Sequence, residues 1–226
     1  MMKKALSILL GIALVPFCIG FTWQLGATVF GIRYKPDLPY FFAAGSLTYI
    51  TVHVLFRKPI LTYVFGHELT HALFAVLFGG SVKSFHASDR GGRVTITKSN
   101  FIITLAPYFF PLYTCMTLVL YGSAVAAGLQ GAVGWIVFLA GASFAFHLVL
   151  TALFLQTEQT DIREYGMIFS LPLIYLFNVT FTAFLIQLLL AENMEYLLFI
   201  GNGIMKSVNM TALILGKIYR IAGNVM

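Results

Sequence analysis

Charge is what this sequence has least of. Only 10% of its 226 residues are Asp, Glu, Lys or Arg, while 59% are hydrophobic. A soluble domain is typically about 25% charged, so the chain cannot coat a water-soluble globule of this size. Its surplus apolar surface needs an apolar neighbour, and lipid supplies one. Cysteine is equally sparse. Cys18 and Cys115 both lie in apolar runs, which excludes a disulfide framework and reads as small packing residues. Basic stretches with interleaved aromatics are missing, which argues against a nucleic-acid partner. The net charge of +6 comes partly from Arg33/Lys35, Arg57/Lys58 and Arg90/Arg93, all in expected loops, where solvated charge meets headgroups. There is no internal repeat, low-complexity tract or soluble domain, so residues 1–226 read as one membrane domain.

What is present is a succession of long apolar runs. A membrane-spanning helix needs about 20 mostly apolar residues. Six segments qualify, approximately 5–31, 39–56, 59–79, 101–127, 131–155 and 167–191. The N-terminus, with its two lysines and apolar run, imitates a signal peptide, but it lacks a small-x-small cleavage site and reads as a retained first span. A last apolar segment, 195–225, is interrupted by Asn202, Lys206, Asn209 and Lys217. It suits an amphipathic helix in the interface better than a seventh span, because Lys206 would otherwise sit near mid-bilayer. The expected fold class is an all-α, multi-pass membrane bundle. Lys and Arg balance on the two sides of a six-span arrangement, so orientation does not follow. Pro107, Pro111 and Pro172 are expected to kink their helices.

One stretch departs from the helical pattern. Between the third and fourth spans, Val82, Ser84 and His86 alternate with Lys83 and Phe85, and Val94 and Ile96 alternate with Thr95 and Thr97. Two short β-prone runs around Asp89-Arg90-Gly91-Gly92 predict a hairpin.

The chemistry lies in Gly66-His67-Glu68-Leu69-Thr70-His71, an H-E-x-x-H motif inside an otherwise apolar run. Residues four apart on a helix share one face, so both imidazoles can reach one metal ion. Zinc takes imidazole nitrogen in a tetrahedral arrangement with a position left for water. Glu68, next to the first histidine, is placed as the general base for that water. Ionisable groups within a span are costly and usually functional. Helix-to-helix hydrogen bonding would explain neither the spacing nor the glutamate. A third ligand is required. Asp161, in FLQTEQTDIREYG just past the fifth span, is the first choice. Glu158 and Glu164 flank it, and His147 lies within the fifth span, better suited to packing or to supporting a ligand. His53 and His86 read as a helix-packing and a loop residue, and Asn100, Gln156 and Asn178 as helix–helix hydrogen-bonding residues. A His₂–carboxylate set also suits iron, but the built-in base favours zinc.

The GHELTHALFAVLFGG segment, the β-prone loop after it and a later Asp near a span end resemble the site-2 protease family of intramembrane zinc metalloproteases. The resemblance covers roughly residues 60–170, and H-E-x-x-H is its one strong motif. It implies that His67, His71 and Asp161 bind Zn²⁺, that Glu68 is the base, and that residues 80–98 help hold an extended substrate by strand pairing. The implied substrate is a membrane protein or peptide cut in or near a transmembrane segment. The sequence departs from the family in three ways: Ile162 rather than Gly follows Asp161, the intermediate span carries Pro107 and Pro111 without the family's Gly, and no PDZ-like domain is present. Two other functions compete: a non-catalytic membrane binding or regulatory protein, against which Glu68 argues, and a metal or proton transporter, which the lack of internal repeats disfavours.

Overall fold

A computed structural model describes residues 2–56, 58–157 and 159–223; Arg57, Glu158 and the final residues of the last apolar segment lie outside that description. The chain divides into two compact units, residues 35–164 and residues 1–34 with 165–226. Six of the described helices are long and apolar enough to cross a membrane.

The central unit runs α1 (Leu38–Leu55), α2 (Ile60–Leu77), β1 (Val82–Ser88), β2 (Gly91–Ile96), α3 (Phe101–Phe109), α4 (Leu112–Ala126), α5 (Gln130–Phe154) and α6 (Thr160–Tyr165). Helices α1 and α5 cross on two glycines. A Cβ added at Gly45 would collide with the Phe138 carbonyl, and one at Gly141 with the Phe42 carbonyl. Small residues are how apolar helices bring their backbones together when no hydrophobic force distinguishes protein from lipid. The crossing is fixed further by Ser46, whose hydroxyl donates to Gly141 O at 3.1 Å.

The hairpin is where the alternation put it. β1 and β2 pair antiparallel, with Ser88 opposite Gly91 and Val82 opposite Ile96, and the loop is Asp89-Arg90. Gly91 adopts φ 138°, a region closed to residues with a Cβ.

The fourth expected span, 101–127, is not one helix. It is α3 and α4, bent 71° at the break between them. The cause is local. Pro111 has no N–H to continue the helix, and it pushes Phe110 into extended backbone, φ −102°, ψ 101°. The break lets α3 sit deep in its unit, where Ile103–Phe109 are all buried. Asn100, expected to bond between helices, instead caps α3: its Oδ1 accepts from Ile103 N at 2.9 Å.

The second unit comprises an N-terminal helix, here α0 (Met2–Gly31), then α7 (Met167–Leu185), which continues into a π-turn (Ile186–Leu190), and α8 (Tyr196–Gly223). Here too small residues make the crossings: α0 meets α7 at Gly11 against Ile168, and α8 at Gly20 against Ser207. Phe21, Val179, Ala183 and Phe199 form the buried centre. The segment expected to lie in the interface is a continuous helix, and residues Tyr196–Ile221 meet the length and apolarity of a span. The bent pair would add a further crossing if its two halves count as one.

Candidate metal centre

Helix α2 carries His67, Glu68 and His71. Both histidines turn the same way, and their Nε2 atoms lie 3.2 Å apart. Beyond the end of α5 the chain turns back, and short α6 brings Asp161 to them. Its Oδ2 is 3.3 Å from His67 Nε2 and 3.4 Å from His71 Nε2. A short turn and the six-residue α6 thus carry a carboxylate from beyond the end of α5 to the α2 histidines.

The three donor atoms form a nearly equilateral triangle. Zinc bonds of about 2.0–2.1 Å at tetrahedral angles place neighbouring donors about 3.3 Å apart, so the measured edges fit three corners of such a site. His67, His71 and Asp161 can therefore hold a metal ion. The tautomer of His71 agrees. Its Nδ1 is 2.9 Å from the Ile103 carbonyl oxygen, which only accepts. Nδ1 therefore carries a hydrogen, which makes Nε2 the nitrogen able to give its lone pair to an ion. Asp161 is also in the right state. Burial pushes its carboxyl up, but hydrogen bonds and charge from His67 and His71 outweigh that and hold it well below the usual carboxylate range.

Two further groups complete the surroundings. The hydroxyl of Tyr108, a buried residue of α3, donates to Asp161 Oδ2 at 3.1 Å. The Tyr108 ring stands edge-on to His67, with centroids 5.1 Å apart. On the other side the hairpin lies over Glu68, which is buried. The Val94 backbone N–H is a hydrogen-bonding neighbour of its carboxylate, and a Cβ at Gly92 would come within 2.5 Å of Glu68 Cγ. The three donor residues and Glu68 share one cleft of about 530 Å³, walled by α2, the hairpin residues Arg90–Val94 and the segment Gln159–Asp161.

Of the other proposed ligands, Glu164 lines the same cleft but stands outside the donor triangle. His147, buried on α5, lines a small neighbouring cavity with His67 and is likewise outside the triangle. Glu158 lies outside the described residues. His53 Nδ1 is 3.1 Å from the Tyr49 hydroxyl within α1, and His86 is paired across the hairpin with Arg93. Tyr108 and Gly92 escaped the sequence reading. The only signal for Tyr108 is a phenol in an otherwise apolar run, which must find a partner for its hydroxyl.

No protein-family model, curated protein or solved structure matches the chain significantly.

Proposed function

We propose that the chain is a multi-pass membrane protein and an intramembrane zinc metallopeptidase of the site-2 protease kind, cutting a peptide bond in or beside a transmembrane segment of another membrane protein. The observation that carries this reading is the coincidence in one cleft of a tetrahedron-sized donor triangle and a glutamate beside it. The membrane part rests on the number of long apolar helices and on their exposed apolar faces, such as Leu9, Val54 and Leu197.

His67, His71 and Asp161 would hold the ion. When bound, zinc supplies Lewis acidity toward the scissile carbonyl and the attacking water. Glu68 takes the water's proton on its carboxylate and hands it to the departing amine. Tyr108 holds Asp161 in the orientation that keeps Oδ2 toward the histidines. The hairpin roofs the base and offers a strand edge to an unwound peptide. Unwinding is required because an amide inside a helix is shielded by its own hydrogen bonds.

The test is metal content per chain of the detergent-purified protein beside His67→Ala, Asp161→Ala and Glu68→Gln variants, with cleavage of a membrane-embedded substrate read in parallel. The reading expects about one zinc in the parent, loss of zinc in the first two variants, and retention in Glu68→Gln with hydrolysis reduced at least about 100-fold. A well-folded parent that takes up no zinc, or a Glu68→Gln variant that cleaves normally, would overturn it. Iron in place of zinc would leave the site and change the chemistry.

A further inference from the structure

Helix α8 carries a polar stripe that the peptidase reading does not use. Asn202, Lys206, Asn209, Lys217 and Arg220 follow one another at spacings of four, three, eight and three, which sets all five on one face. Lys217 and Arg220 lie near the end of the helix, where basic side chains meet headgroups. Lys206 and Asn209 do not. The apolar stretch of α8 is Tyr196–Ile221, and Lys206 stands about 15 Å from one end and about 22 Å from the other, at about 1.5 Å per residue. A hydrocarbon core of about 30 Å centred on that stretch leaves the Lys206 backbone about 10 Å below the nearer boundary, farther than a four-carbon stem reaches. The packing of the unit gives the same depth independently. Ser207, the next residue, lies against Gly20, close to the middle of the α0 stretch Ala5–Gly31.

Neither residue is satisfied by the chain. Lys206 is half-buried and Asn209 exposed, and neither has a hydrogen bond or ion pair among the described residues. Ionisable groups within a span are costly and pair with an opposite charge, and amides there bond across helices. The face beside them is open. A shallow groove of about 560 Å³ runs from Asn209 to Arg220, and every residue lining it belongs to α8, so its opposite wall is missing among the described residues. Ala212 and Gly216, four apart, line the groove, and a Cβ at Gly216 would meet nothing within 4 Å. Small residues at that spacing let the backbone of another helix come close.

Charge complementarity selects the occupant. Lys206 requires an anion at mid-span depth. A lipid tail has none, and lipid phosphates lie at the boundary. A second copy of the chain has none to give either. Its span-length helices and the bent pair carry a single carboxylate, Glu68, and that one is buried beside the metal donors. A symmetric pairing of like faces would also set one Lys206 against the other. We infer that this face of α8 docks a transmembrane helix of a different protein, one with an Asp or Glu at mid-span whose carboxylate receives the Lys206 ammonium, with Asn209 bonding beside it. The inference rests on the membrane part of the reading above and is independent of peptidase activity.

The test places the full chain in phosphatidylcholine vesicles with synthetic Leu/Ala helices of about 22 residues and uncharged polar ends. One helix has Asp at its centre, a second Leu there, and a third has the Asp moved to its end. Association is read by energy transfer between labelled helix and labelled chain. The central-Asp helix is expected to bind about tenfold more tightly than the other two, and Lys206→Met should erase the difference. The thermal midpoint of Lys206→Met should equal or exceed that of the parent, because no partner within the chain is lost. A lowered midpoint would reveal an internal partner and overturn the inference. So would equal binding of the three helices, or a preference for central Asp that survives in Lys206→Met. Displacement of the central-Asp helix by added phosphatidylglycerol would assign Lys206 to a lipid phosphate. Energy transfer between two copies of the chain, lost in Lys206→Met, would assign the face to self-association. Either result overturns the separate partner. Solubility without detergent would remove the membrane premise and this inference together, while zinc content of the same preparation tests the peptidase reading separately.

Discussion

Tyr108 donates its hydroxyl to the same oxygen of Asp161, Oδ2, that stands 3.3 Å from His67 Nε2. A ligand carboxylate held by a buried phenol cannot swing away when the ion leaves, and partners of this kind tune affinity from outside the coordination shell. Tyr108→Phe keeps the ring against His67 and removes only the hydroxyl. The expected outcome is a folded protein whose zinc affinity is weaker by about 10- to 100-fold, measured by competition with a chelator. Unchanged affinity would remove Tyr108 from the site.

Acid should strip the metal through the histidines first. Asp161 is held well below the usual carboxylate range by its two histidine neighbours, against the opposing push of burial. It therefore stays ionised where an ordinary imidazole, with a pKa of about 6.5, takes up its proton. Protons and metal compete for the same Nε2 lone pairs, so the sign is loss of affinity on acidification. Zinc affinity is expected to fall steadily on acidification, by up to two protons per ion, His67 and His71 being the two proposed titrating ligands. Affinity that stayed flat between about pH 7 and pH 5 would contradict histidine ligation.

Much of this was legible in the sequence, for reasons that differ from residue to residue. The His67–His71 pair needs only helical geometry within one turn, and the hairpin needs only alternation and two glycines, so local rules suffice for both. Asp161 is separated from His67 by 94 positions. Its arrival at the histidines depends on how the chain turns after α5, so sequence could name it as a candidate but not exclude Glu164 or His147. The break between α3 and α4 was half legible: Pro107 and Pro111 announced a kink, but apolarity runs unbroken through the bend and gave no sign of its size. Gly92 read as turn chemistry because its neighbour Gly91 is; that it also makes room for Glu68 is a tertiary fact.

The α1–α5 crossing should be intolerant of any Cβ larger than the contact allows. Gly45 and Gly141 sit directly under the carbonyls of Phe138 and Phe42. Forcing atoms into such a contact costs about 1–3 kcal/mol. Gly45→Val is expected to lower the thermal midpoint in detergent, while Gly122→Val, at an exposed glycine with open space around it, should leave it nearly unchanged. Equal effects from the two would mean that the crossing is looser than described.

The hairpin can be tested as part of the proposed catalytic apparatus with a single methyl group. Gly92 lies outside the left-handed backbone region, unlike Gly91, so alanine is compatible with its conformation. Its new Cβ would meet Glu68 Cγ at 2.5 Å and Oε1 at 2.7 Å. Something must shift, and the end of the Glu68 side chain moves more cheaply than a paired strand or a packed helix. The donor triangle lies beyond this contact and should be undisturbed. Gly92→Ala is therefore expected to keep its zinc and fold while losing hydrolysis by about tenfold or more, since a displaced general base forfeits part of a contribution of about 10²–10⁴. The deficit should appear in kcat rather than KM, because the methyl group faces the base and not the open edge of the strand. Gly92→Ala with unchanged kcat would mean that Glu68 has room to take up its position again; loss of zinc would mean that hairpin and metal ligands move as one.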